Sequence, residues 1–219
     1  MRSASFGALG PVFGRGNVPT GKTVRNLLDK DPIQTVAVEP AGSVAASASE
    51  SQIQLWSARD GRLKRAFAPG FSRIQSIAMP DSKRLLIAGN DAIQLWDLMS
   101  ERPIGRFGLI CKSIHRCGRE EAILERWGGF SLLSFTTGKA TELSKADAER
   151  LLSEDTQHLR VTVKDDLVRV YAPLSARTLA TIPSGSRVQC AAISHNGCLI
   201  YGDNLGNAHI LWLENGDLQ

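Results

Sequence analysis

From Ile33 to Phe107 the chain alternates apolar and polar residues in short runs separated by Gly, Pro and charged pairs, the period-two pattern of β-strands. Two stretches carry this pattern in the same order. From Ile33 the chain reads IQTVAVEPAGSVAASASESQIQLWSARDGRLKRAF, and from Ile74 it reads IQSIAMPDSKRLLIAGNDAIQLWDLMSERPIGRF. Each predicts an alternating strand, a Pro-containing turn, a second strand, a short polar turn, a third strand ending in IQLW, another turn, and a short fourth strand closing on Phe. Trp56 and Trp96 stand 40 residues apart. Further steps of 37, 38 and 41 residues land on Leu133 in FSLLSFTTGK, Tyr171 in LVRVYAPLSAR and Trp212 in HILWLENGD.

A repeat of about 40 residues built from four strands is the period of a propeller blade. Along the third strands, Ile53 and Leu55 share one face with the same parity as Ile93 and Leu95, while Gln54 with Trp56 and Gln94 with Trp96 share the other. Large apolar groups on both faces require cover on both faces, which a single blade cannot supply and a ring of neighbours can. The predicted fold is therefore all-β, a β-propeller of about five four-stranded blades. Residues 1–19 are read as a flexible lead-in and 20–219 as the propeller, with blades at 33–72, 73–109, 110–143, 144–183 and 187–219. Residues 20–29 complete the last blade: TGKTVRNLL matches DGRLKRAF and TTGKATEL, which makes about 23–28 a fourth strand that closes the ring against the strand of Trp212. SKADAERLLS at 144–153 reads as helical, with Ser144 and Asp147 at capping-box spacing, either inserted between blades or standing for a degenerate first strand.

These repeats resemble the WD-repeat family of propellers over roughly residues 20–219. Trp96-Asp97 preserves the dipeptide that names the family, and Asp91 in GNDAIQLW occupies the turn where the family keeps an Asp, with Asp165 and Asp203 near the corresponding later turns. No Gly-His pair precedes a first strand, so the blades are expected to rely on packing in place of the family's buried hydrogen-bond network. The resemblance implies a non-catalytic protein–protein interaction scaffold. It also implies that fourth-to-first and second-to-third strand connections share one face, which makes Asp29, Lys30, Phe71, Arg73, Asn90, Asp91, Arg187 and Asn204 the candidate partner contacts. Phe71 beside Arg73 is the expected exposed anchor.

Composition narrows the alternatives. The 219 residues carry 26 Lys+Arg against 22 Asp+Glu, a net charge of +4 without a long basic run, so neither a nucleic-acid nor a membrane footprint is visible. Four Cys are too few for a disulfide scaffold and fit a reducing, cytoplasmic setting. GNVPTGKT at Gly16–Thr23 matches a phosphate-binding loop, but a hairpin turn ahead of a fourth strand explains it better, because no buried strand precedes it and no full helix follows. Cys111, His115 and Cys117 share parity without a zinc spacing, and Cys190, Cys198 and His209 read as strand residues, with His195 in a solvated turn. Thr35, Ser76, Ser113 and Cys190 are the channel-side candidates, poor material for acid–base work. The expectation is thus no enzyme activity, no cofactor and no metal, with a protein partner and a monomeric closed ring. A compact propeller hydrolase or lectin, and a detached piece of a larger signalling propeller, are the alternatives.

Overall fold

The IQLW strings each form the third strand of a four-stranded antiparallel sheet, and five small antiparallel sheets, three of four strands and two of three described strands, stand in a ring, a five-bladed β-propeller. The computed structural model describes residues 31–153, 159–172 and 177–213. Blade one is β1 (Thr35–Val38), β2 (Val44–Ala48), β3 (Ile53–Ser57) and β4 (Leu63–Phe67). Blade two is β5 (Ile74–Asp81), β6 (Arg84–Gly89), β7 (Ile93–Asp97) and β8 (Arg102–Phe107). Blade three is β9 (Ser113–Cys117), β10 (Glu121–Arg126), β11 (Gly129–Ser134) and β12 (Ala140–Leu143). Blade four contains helix α1 (Lys145–Ser153), then β13 (Arg160–Lys164), β14 (Leu167–Ala172) and β15 (Arg177–Pro183); blade five is β16 (Val188–Ile193), β17 (Cys198–Asp203) and β18 (Ala208–Trp212). The expected closing strand at 23–28 and the GNVPTGKT stretch lie outside the described residues. Among those described, no helix is long and apolar enough to cross a membrane.

The core lies between blades, as the two-faced strands require. Ile53 and Leu55 pack with Ile74 and Leu85 of blade two, whereas Trp56 points back to Ile200 and Ile210 of blade five. Ile93 and Leu95 pack forward against Leu124 and Leu133 of blade three, and Trp96 packs back against blade one, its ring 4.9 Å from Phe67. Val168 and Val170 of blade four meet Leu199 and Leu211 of blade five. Leu211, not Trp212, therefore faces backward in the manner of Trp56. The 41-residue step to Trp212 was one too long. Trp212 instead turns forward and donates its indole N–H to the Ala58 carbonyl of blade one at 2.9 Å.

Backbone bonds tie successive blades at one face of the ring. The amides of Ile33, Ile74 and Val188, each at the approach to or start of a first strand, donate to the carbonyls of Asp203 (3.2 Å), Glu50 (2.7 Å) and Asp165 (2.9 Å) in the second-to-third turn of the preceding blade. Small hydroxyls add a second row: Thr35 Oγ1 accepts the Ile77 amide at 3.4 Å, and Ser76 Oγ accepts the Ile114 amide at 3.1 Å. Cys190 makes a longer S–H contact with the Ile33 carbonyl, 3.7 Å. These side chains join neighbouring inner strands.

Blade four departs from the four-strand plan. Its described strands are three, and β13 stands in the inner position beside β16 but points the other way. The end of β13 meets the start of β16 through Asp165 and Val188, while Leu159–Val161 at its beginning line the same cavity as the end of β16. β13 is thus a second strand, joined to the third by the two-residue turn Asp165-Asp166. There Asp165 takes the left-handed φ of 57° that such a turn demands and Asp tolerates. The helix α1 takes the place in the chain that a first strand would have. Ser144 caps it, accepting the Asp147 amide at 3.0 Å and donating its hydroxyl to the Asp147 carboxylate at 2.6 Å. Ala148 buries its methyl completely, and the helix packs on β11 and β12.

Candidate functional site

The turns that carry the cross-blade backbone bonds gather the predicted contact residues on one face. Arg73 lies between β4 and β5, Asn90 and Asp91 between β6 and β7, Arg187 ahead of β16, and Asn204 between β17 and β18, all five exposed. Asp91 accepts a charge-assisted bond from Arg106 at 2.8 Å, with both side chains more than half exposed, so the pair is screened and weak. The Asn204 amide is held by the Arg187 carbonyl at 2.9 Å, which joins two of the candidates directly. Asp29 and Lys30 lie outside the described residues.

Phe71 is a correction. It is 5% exposed and cannot be an exposed anchor. Its ring lies over Gly89, so close that a β-carbon there would fall within 2.2 Å of the ring. The glycine makes the seat, and Phe71 belongs to the core between blades one and two.

The exposed apolar groups on this face are others. Trp127, in the β10–β11 hairpin turn before Gly128 and Gly129, is 63% exposed; Ile110 ahead of β9 is 43% exposed, and Leu205 beside Asn204 is 63% exposed. Trp127 and Ile110 border a cleft of about 550 Å³ between blades two and three, whose lining also includes Gln75, Asn90, Arg126 and Glu142. Trp127 escaped the sequence reading; its place between an Arg and two Gly (RWGG) is the signal that could have found it.

A second cavity, about 570 Å³, occupies the centre of the ring at the opposite end of the inner strands. Its walls are mainly strand backbone and small or branched side chains, with His115, Arg160, Tyr171, Ser194 and His195 as its ionisable or hydroxylated members. His195 is exposed at the rim, where partial desolvation holds its pKa below the usual value against a weaker opposing pull from Glu39. Near this cavity Ser113, His115 and Glu125 converge. His115 Nε2 lies 2.7 Å from Glu125 Oε2 and 3.0 Å from Ser113 Oγ, while the Ser113 hydroxyl donates to the same Glu125 oxygen at 3.1 Å. A hydrolytic relay needs the imidazole to face nucleophile and acid with different nitrogens. Here one nitrogen meets both, and the serine proton is committed to the carboxylate. The hydrogen bond from His115, then that from Ser113, hold the Glu125 pKa below its usual value.

A buried polar cluster fastens blade five. Asp203 is 1% exposed and accepts bonds from Ser186 Oγ (2.7 Å), the Asn207 amide (2.8 Å), Asn207 Nδ2 (3.0 Å) and His209 Nε2 (3.3 Å). Burial alone would raise its pKa, but these donors outweigh burial and leave it lowered. Desolvation lowers the His209 pKa and Asp203 offsets only part of that, so His209 is the neutral donor; its ring stacks on Tyr201 at 4.5 Å. Blade one has a smaller version, with the Trp56 indole donating to Ser47 Oγ at 2.9 Å. The expectation that packing alone holds the blades is therefore corrected: Ser186 and His209 build a buried network without a Gly-His pair.

The described thiols are inert by environment. Burial pushes Cys111 up to about 11 and both Cys190 and Cys198 up to about 12, far from the thiolate needed for metal binding or nucleophilic attack at neutral pH. Among the described residues no group of three or more His, Cys, Asp or Glu side chains could hold a metal ion. No protein-family model and no curated protein matches the chain.

Proposed function

We propose that this propeller is a non-catalytic protein–protein interaction scaffold of the WD-repeat type, monomeric and cytoplasmic. The observation that carries the reading is the composition of one face. Trp127, Leu205 and Ile110 stand exposed among the exposed polar residues Arg73, Asn90, Asp91, Arg187 and Asn204. Apolar anchors within a polar rim are what a protein contact surface requires. The WD assignment draws support from the 40-residue spacing of Trp56 and Trp96, from the Trp56–Ser47 bond and from Asp203 in the second-to-third turn of blade five. The test is affinity capture with the intact protein and with Arg73→Glu and Arg187→Glu. Loss of a stoichiometric partner on charge reversal supports the reading. A partner retained unchanged by both variants would move the contact off this face, and failure to retain any partner would overturn the scaffold itself.

A further inference from the structure

The cleft between blades two and three contains two polar groups whose bonding is incomplete. Gln75 Oε1 is buried with no hydrogen-bond donor, and among the described residues the Gln75 side chain makes no hydrogen bond at all. Arg126, at the end of β10, is half-buried, and its side chain makes no ion pair or hydrogen bond among the described residues, although it lines the same cleft. The Gln75 oxygen is enclosed by the protein, so a ligand meets this amide through its Nε2, while a half-buried Arg side chain without an anion is costly and a ligand that supplies the anion relieves that cost. Glu142, the cleft's acidic member, is exposed and hydrated, so its charge is the less demanding of the two. Trp127 and Ile110 add apolar surface at the edge.

The Gln75 Nε2 offers two donors to the carbonyls of a peptide backbone. Arg126 offers a planar fork suited to a carboxylate. The Trp127 indole offers a rigid apolar face. From this combination we infer that the cleft binds an extended acidic peptide segment of a partner protein, whose backbone pairs with Gln75, whose Asp or Glu meets Arg126, and whose neighbouring apolar side chain lies on Trp127. A volume of about 550 Å³ is within the range of sites that hold a few residues. The chain's own first 28 residues contain no acidic side chain and so cannot supply the carboxylate. The inference rests on the scaffold reading and gives its surface a chemistry.

The experiment is selection of displayed random octapeptides on the intact protein, in parallel with Arg126→Gln, Gln75→Leu and Trp127→Phe, each first matched to the parent by thermal midpoint. The parent is expected to enrich sequences with Asp or Glu next to an apolar residue. Synthetic versions of those peptides should change the fluorescence of Trp127, the most exposed of the tryptophans. Arg126→Gln should weaken them about tenfold or more and abolish the preference for acid over amide, and Gln75→Leu should weaken acidic and amide peptides alike by several-fold. Selection of no peptides, of basic or purely apolar ones, or of acidic ones that bind Arg126→Gln equally well overturns the inference. In that event a partner still captured by the whole protein and lost on reversal at Arg73 or Arg187 leaves the scaffold standing, so the two failures are distinguishable.

Discussion

Four of the five junctions between blades are filled in the same way, and the fifth, between blades three and four, is not. At the filled junctions a third strand sends Ile, Leu or Val forward, and at each of them the next third strand returns Trp96, Leu133, Leu211 or Trp56 into the same cluster. Between blades three and four no such cluster occurs among the described residues. The helix α1 covers β11 and β12, β13 stands reversed in the inner position, and Tyr171, the counterpart of Trp56, lines the central cavity. The contrast extends to single hydrogen bonds. Ser76 reaches forward to an amide of the next blade, whereas Ser113, at the equivalent place in blade three, turns to His115 and Glu125 within its own blade. A ring can therefore carry one irregular junction when each of its other junctions is held by a buried apolar cluster.

The sharpest way to break this contrast is truncation at equivalent third-strand positions. Trp56→Ala removes a 1%-exposed indole and its bond to Ser47 and should cost about 4 kcal/mol in urea unfolding, against about 1 kcal/mol for Tyr171→Ala. Equal losses would mean that the fifth junction is as well packed as the rest. Next in size is Asp203→Ala, expected to cost about 3 kcal/mol because it strands buried donors on Ser186, Asn207 and His209. Glu125→Gln, whose partners are solvated, should cost less than about 1 kcal/mol.

Smaller again is the hydroxyl pair. Ser76→Ala leaves the Ile114 amide without its acceptor and should cost about 1 kcal/mol, while Ser113→Ala should stay within about 0.5 kcal/mol, both read as shifts of the urea midpoint at constant slope. The smallest effect is a pH dependence. The pKa values of His209 and His195 are lower in the folded chain than the usual 6.5, so the unfolded chain takes up protons first as the solution is acidified. Stability from this source is complete above that value and is lost as pH falls from there through the folded values. Thermal midpoints at pH 7, 6 and 5 should decline, and His209→Gln should flatten the decline. A midpoint that rises on acidification would reverse the assignment of His209 as a neutral, buried donor. Asp203, whose folded pKa is lowered, acts in a separate window, its contribution being lost only below the ordinary carboxylate range.

Much of this architecture could be read from residue spacing. The opposite parities of Ile53 with Leu55 and of Gln54 with Trp56 correctly announce two covered faces, and the turn residues place the five exposed candidates on one side. In β18, adjacent Leu211 and Trp212 are both apolar and the strand packs on both sides, so alternation cannot say which one faces back, and the register slipped by one. Ser144 and Asp147 correctly announce a helix. That the helix stands in place of a first strand and leaves β13 inside the ring is a tertiary outcome with no local signal. The burial of Phe71 depends on Gly89, eighteen residues away, and is equally invisible to a local reading. Of the cleft, Trp127 carried a signal in its glycine turn that the sequence reading missed, whereas Gln75 and Arg126 look like ordinary strand polars until the fold leaves their side chains without partners.

The positions of the inert thiols give the protein a built-in recording device. Cys111 is sealed between blades two and three and Cys198 between blades five and one, with Cys190 half-buried against the same cluster, each too basic to react while enclosed. Brief exposure to an alkylating reagent during gradual denaturation would stamp each sulfur at the moment its surroundings part. Peptide mass mapping would then give the order in which the ring comes undone.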